Sequence, residues 1–244
     1  MSKFDGKVVP FPTIANPNIK VVLKRFLACQ RERLKPRTYR HYEEIIALLE
    51  HCLNLYGYQE LENASETTLY VRLSDYKNLT FCEIFGPEKI LDNLSAFLGY
   101  FMIRKVVGSE ALLRSAGTVT KRLIKWLLEE NYIGEREAQK SLKIAAEAAR
   151  ELPAAERLAR LLYEYAQTHA PRHWTAELDD YFTVEKVTPT SLLLSGVTIN
   201  TGIVEVKVPR EITQHCKVGW QINLLLGETR HGWRILETGN VYPL

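Results

Sequence analysis

Apolar residues at Ile19, Val22, Leu23, Phe26 and Leu27 recur three and four positions apart, which predicts a helix from about Ile19 to Gln30. Pro36 interrupts the chain. Tyr42, Ile45, Ile46, Leu49, Cys52, Leu53 and Tyr56 then form the clearest helical stripe, with Thr38 as the expected cap and an end near Gly57. Between Leu61 and Phe85 the pattern alternates weakly around Leu69, Val71 and Leu73, which predicts a short hairpin or an irregular insertion. After Gly86-Pro87 a third helix carries Ile90, Leu91, Leu94, Phe97, Leu98 and Phe101 inward. A fourth runs from about Ser109 to Asn131, with Leu112, Leu113, Ala116, Val119, Leu123, Ile124, Leu127 and Leu128 as its buried stripe. Four amphipathic helices of this kind make one bundle.

From Ala138 to Ala166 apolar positions alternate by four and three, an a/d seam of small residues. Pro153 sits within it, and proline is suited to the first turn of a helix and not to its middle. Two helices are expected, Glu135 to Glu151 and Pro153 to Thr168, folded on each other as a hairpin or paired across a homodimer through 135–168. Beyond Arg172 the period changes to two. Strands are predicted at Phe182–Val187, Ser191–Val197, Ile203–Val208, Gln221–Glu228 and Trp233–Glu237, with a helical or turn element at Pro209–Cys216. Five short strands suggest a small β-barrel, OB-like or SH3-like. The fold class is α+β and multidomain: an N-terminal extension (1–17), a four-helix domain (18–134), a helical hairpin linker (135–172) and a small barrel (173–244).

Composition changes this picture little. The 244 residues are 46% hydrophobic and 25% charged, as in ordinary folded proteins, so disorder is expected only at Met1 to Pro12. Cys29, Cys52, Cys82 and Cys216 form no C-x-x-C pair, which signals neither a zinc ribbon nor a disulfide framework and suits a reducing, cytoplasmic setting. There is no apolar run of ~20 residues and no signal-peptide core, so no membrane role is expected.

The placement of charge is more informative than the net +3. From Lys20 to Arg40, eight basic residues face the single acid Glu32; from Arg104 to Lys125, six face Glu110. The stretch from His173 to Leu244 has six basic and eight acidic residues. A basic helix face is most often only a solvated surface. Two basic clusters, both at predicted helix ends, point instead to phosphate binding, since Lys and Arg release counterions from a duplex and helix N-termini add N–H donors. The candidate DNA-binding residues are Lys24, Arg25, Arg31, Arg33, Lys35, Arg37, Thr38 and Arg40 in the first cluster. Arg114, Thr118, Lys121, Arg122 and Lys125 make up the second.

Two stretches carry a resemblance. Phe26-Leu27, Leu34-x-Pro36-x-Thr38-Tyr39-x-x-Tyr42 and Tyr56-Gly57, then Lys121-Arg122-Leu123-Ile124-Lys125-Trp126-Leu127 with Glu130-Asn131-Tyr132-Ile133, together resemble the SAM-like core-binding domain of tyrosine recombinases and phage integrases. Asn131 stands where that family usually has Gly, and the 61–85 insertion departs from its short connection. The resemblance covers about Asn18 to Gly134. It implies a domain that clamps double-stranded DNA from one side and a role in recombination or integration, of the kind mobile elements encode.

The catalytic half is not legible. His169-Ala170-Pro171-Arg172 reads as H-x-x-R, but His173, Trp174 and Tyr181 follow within thirteen residues of His169, whereas the recombinases place their later residues well downstream. No phosphate loop, zincin or serine-hydrolase motif is present, Asp179-Asp180 reads as a surface pair, and His215-Cys216 has no third ligand at useful spacing. Trp126 is expected in the core; Trp220, Trp233 and Tyr242 in the core or on a docking face. The sequence thus points to a non-catalytic duplex-DNA-binding protein with no cofactor or metal, accessory to a recombinase or another protein held by the barrel. Two alternatives stay open: a protein-interaction adaptor acting through the barrel, and single-stranded nucleic-acid binding by the barrel.

Overall fold

A computed structural model describes residues 13–106 and 110–243. The expectation of disorder at Met1 to Pro12 and the predicted helix start at Ser109 lie outside the described residues. The chain forms two compact units, one of the residues up to Phe97 with Arg122–Ser141, the other of Leu98–Lys121 with the residues from Leu142 onward.

In the first unit, α1 (Ile19–Arg33) starts at Asn18, whose side chain accepts from the Val21 N–H, and buries Ile19, Val22, Leu23 and Phe26 as the spacing predicts. The segment before it is tied down: Ala15 N–H donates to Ile84 O, Ile19 N–H to Phe85 O, and Asn18 Nδ2 to Glu83 O. Leu34 ends α1, and α2 (Pro36–Tyr56) begins with Pro36 in its first turn. Lys35 occupies the cap position and offers no side-chain cap; Thr38 lies inside the helix and is not its cap. Proline explains the shift, since its fixed φ and missing N–H suit the first helical position.

The hairpin expected within 61–85 is absent. That stretch forms α3 (Ala64–Lys77) and the single turn α4 (Phe81–Ile84). Asn63 caps α3 through the Ser65 N–H, and Asn78 ends it in the left-handed region at φ 52°. Leu69 and Leu73, four apart, are buried while Val71 between them is half exposed, so the apparent alternation was one helical face sampled every second residue. A capping box of Thr80 and Glu83 sets α4, and Lys20 Nζ reaches Glu83 at 2.9 Å. These bonds hold the Glu83 carboxyl at about 2, the Thr80 backbone N–H contributing most.

The predicted third helix is broken into α5 (Glu88–Asp92), a π turn over Ala96–Phe101 and α6 (Met102–Arg104); Ile90, Leu94, Phe97, Leu98 and Phe101 are buried as expected. α7 (Glu110–Glu129) buries Leu113, Ala116, Val119, Leu123, Ile124 and Leu127. It closes in a Schellman arrangement, with Asn131 N–H donating to Leu128 O, Tyr132 N–H to Leu127 O, and Asn131 at φ 59°. Trp126 is in the core, 5.5 Å from Phe26 and 5.8 Å from Tyr132 between ring centroids.

The hairpin linker is replaced by one helix, α8 (Glu135–His169), with Pro153 inside it. Proline removes one i→i−4 bond, yet the buried face keeps its phase across it: Ala145, Ala148, Leu152, Ala155, Leu158, Leu162 and Ala166 are all buried, as is Pro153 itself. Continuous burial of the stripe outweighs the lost bond. Gly117 lets α7 approach α8 closely, for a Cβ there would stand 2.4 Å from Ala149 N.

In the second unit the strands are β1 (Glu177–Val187), β2 (Ser191–Gly196), β3 (Ile203–Lys207), β4 (Gln221–Thr229) and β5 (Gly232–Tyr242), with α9 (Arg210–Thr213) between β3 and β4. They pair in the order β1-β2-β3-β5-β4, and β4 returns to β1. The β3–β5 junction is one parallel pair, Val206 with Trp233, so the sheet closes on itself without forming a regular barrel. Inward residues such as Phe182, Val184, Leu192, Leu194, Val206, Ile222 and Leu226 form a core with Ala155, Leu158, Leu162 and Ala166 of α8. That contact covers the second half of the small-residue seam within one chain.

Candidate nucleic-acid interface

The first basic cluster lies at the corner between α1 and α2. Lys24, Arg25, Arg31, Arg33, Lys35, Arg37, Thr38 and Arg40 are all exposed. Each apolar stripe turns inward, and the basic residues fill the opposite face of the last turns of α1 and the first turns of α2. Arg25 donates to the Tyr132 hydroxyl at 2.9 Å. Among the described residues no ion pair forms at Lys24, Arg31, Arg33, Lys35, Arg37 or Arg40. A groove of about 360 Å³ opens at this corner, lined by Arg31, Leu34, Pro36, Tyr39, Arg40 and Glu43.

The second cluster is divided. Arg122 and Lys125 belong to the first unit, whereas Arg114, Thr118 and Lys121 belong to the second. Arg122 reaches the first cluster: its guanidinium and that of Arg33 both act on Tyr42, whose phenol is pushed up by burial and pulled back by the two cations. Glu129 already holds Arg122 in a two-pronged bond of 2.9 and 3.2 Å, so Arg122 is a partly neutralised member of the set. Lys125 is exposed and has no ion pair among the described residues. Thr118 spends its hydroxyl proton on Arg114 O at 3.0 Å, which leaves only its oxygen lone pairs for a ligand.

One further feature completes the corner. The first turn of α2 has no side-chain cap, so backbone N–H groups beside Arg37 and Thr38 are not taken up by their own neighbours. An uncapped helix start with basic residues around it suits phosphate oxygens. Sequence reasoning had assigned this capping role to Thr38 and so missed the open N–H groups; the visible signal was Pro36, which marks the first helical position.

Elsewhere, one expectation needs revision. Asp180 is buried and no surface residue. It accepts from the N–H groups of Thr198 (2.9 Å), Ile199 (3.0 Å) and Tyr181 (2.8 Å) and from the Thr198 hydroxyl (2.8 Å). Burial works to raise its carboxyl, but these bonds outweigh it and the net shift is downward. With its oxygens so engaged, Asp180 is the clasp of the β2–β3 loop. No group of three or more His, Cys, Asp or Glu side chains among the described residues is arranged to hold a metal. In the H-x-x-R fragment, His169 stacks on Tyr165 and Tyr181 sits edge-on to Tyr242. All four cysteines are free; burial pushes the Cys52 and Cys216 thiols up to about 12, so neither is a nucleophile near neutral pH. No helix among the described residues is long and apolar enough to cross a membrane.

No protein-family model matches the chain, and no curated sequence matches it.

Proposed function

We propose that this protein binds double-stranded DNA through the basic corner of its helical unit and does not cut it. The observation that carries the reading is the run of exposed basic side chains from Lys24 to Arg40, free of ion pairs among the described residues and clustered around an uncapped helix start. Cations held by carboxylates have little left to give a phosphate, whereas these seven would exchange only mobile counterions. Arg122, whose charge is felt at Tyr42 together with that of Arg33, extends the same corner from α7.

Kinship with the core-binding domain of tyrosine recombinases rests on the two sequence stretches that resemble it. The strand order, with a helix between β3 and β4, supports an OB-like reading of the sheet, a fold used for partner or ligand recognition. A cytoplasmic accessory to recombination or integration would join these parts, with the barrel addressing a recombinase or other protein.

Anisotropy of a labelled duplex tests the reading. Tight binding at low salt, lost in an Arg33→Glu, Arg37→Glu, Arg40→Glu variant, is the expected outcome. Binding unaffected by the reversals would move the search to the barrel and its adaptor role.

A further inference from the structure

The second unit holds a pocket that duplex binding does not use. It has a volume of about 540 Å³ and lies between the segment that follows α8 and the β4–β5 turn, a size typical of small-molecule sites. Arg172, His173 and Trp174 form one wall; Arg230, His231 and Arg234 form the other. The acidic composition of the barrel region as a whole conceals this local excess of positive charge. Glu228 is the one carboxylate in the lining, and no ion pair forms at the three arginines among the described residues.

Both walls are fixed by the fold. Thr175 N–H donates to Glu228 O at 2.9 Å and Glu228 N–H to Ala176 O at 2.8 Å, which fastens the first wall to β4. The second is a tight turn: the Thr229 hydroxyl donates to Gly232 O at 2.8 Å, His231 N–H donates back to Thr229 Oγ1 at 3.1 Å, and Gly232 takes φ 88°. Arg230 Nε donates to His231 Nε2 at 3.0 Å, which sets both side chains and leaves the terminal nitrogens of Arg230 for a ligand, while Arg234 spends Nη1 on Trp233 O at 2.9 Å and keeps its other donors. The Trp174 indole N–H is bound to Glu177, which orients the ring, yet the side chain is 42% exposed while Trp126 and Trp220 are buried. A large aromatic face held in place beside three arginines calls for a ligand with both a flat ring and an anionic group.

We infer that this pocket binds a nucleotide, its base stacked on Trp174 and its phosphate held by Arg172, Arg230 and Arg234. Glu228 accepts from sugar hydroxyls or base amino groups. The nucleotide arrives either free or as one unit of a single strand, and the chemistry of the pocket is the same for both.

Calorimetric titration of the full chain with AMP, adenosine, inorganic phosphate and a single-stranded 12-mer tests this. AMP should bind saturably, with adenosine and phosphate each about tenfold weaker or worse. Trp174→Ala should weaken AMP while Trp174→Phe largely restores it, and Arg172→Ala with Arg230→Ala should lose about tenfold or more. A 12-mer that binds tighter than AMP and competes with it identifies a strand as the source; a 12-mer no tighter than AMP identifies the free nucleotide. Absence of AMP and 12-mer binding, phosphate as tight as AMP, or indifference to the variants would overturn the inference. The helical-corner variant should keep AMP binding and the pocket variants should keep duplex binding, so either proposal can fail alone.

Discussion

Gly117 offers a test in which two physical effects predict opposite signs. On an exposed helix, Gly→Ala stabilises by about 1 kcal/mol, because alanine loses less backbone entropy. At Gly117 the added Cβ would lie 2.4 Å from Ala149 N, 2.5 Å from its Cα and 2.6 Å from its Cβ. Carbon contacts are comfortable from about 3.5 Å, so the α7 and α8 backbones would have to part by roughly 1 Å. Two of the three atoms are backbone, so no rotamer change relieves the overlap. Overpacking a well-filled interior by one methyl costs about 1–3 kcal/mol, and a backbone clash belongs at the upper end. Set against the propensity gain, Gly117→Ala should be net destabilising by about 2 kcal/mol, or roughly 4–8 °C in midpoint. Thermal melts followed by circular dichroism measure it. A variant as stable as the parent, or more stable, would refute the close packing of α7 on α8.

Three other outcomes follow from the same geometry. Asp180→Ala strands the N–H groups of Thr198, Ile199 and Tyr181, and should cost roughly 3 kcal/mol or more in urea denaturation; a loss under 1 kcal/mol would mean the clasp is dispensable. Glu83 titrates at about 2, below an unfolded glutamate near ~4.3, so its ion pair and capping box stabilise fully above that range and fade as pH falls toward 2. Glu83→Gln should therefore be less stable than the parent at pH 7 and should converge with it near pH 2; an equal gap at both would contradict the assignment. Asn131→Ala places an ordinary L side chain at φ 59° and should cost about 1 kcal/mol, whereas Asn131→Gly should not; comparison of the two melts decides it.

Most of the architecture was legible because it rests on periodicity. The stripes of α1, α2 and α7 and the alternation of the five strands each had one dominant period. Where two readings shared the same residues, local pattern failed. Leu69, Val71 and Leu73 look like a strand unless the caps Asn63 and Asn78 are weighed, and Pro153 looks like a helix break unless the burial phase on both sides is followed through it. What covers the second half of the 135–168 seam was not legible, since nothing in a run of small residues says whether a hairpin partner, a second chain or the chain's own sheet packs on it. The α1–α2 corner was visible as a cluster of charge. The division of the second cluster, with Arg122 in one unit and Arg114 in the other, depends on how α7 is shared between units. Asp180 looked like surface because the loop that buries it returns eighteen residues later.

Duplex binding is the central claim, and its salt dependence tests it most directly. Anisotropy titrations of a labelled duplex at several salt concentrations, with the parent chain and the Arg33→Glu, Arg37→Glu, Arg40→Glu variant, give the slope of log affinity against log salt. Phosphate neutralisation by the corner predicts a slope of roughly −0.9 per phosphate contacted, steep in the parent and largely lost in the variant. A flat slope, or a slope the variant keeps in full, would contradict it.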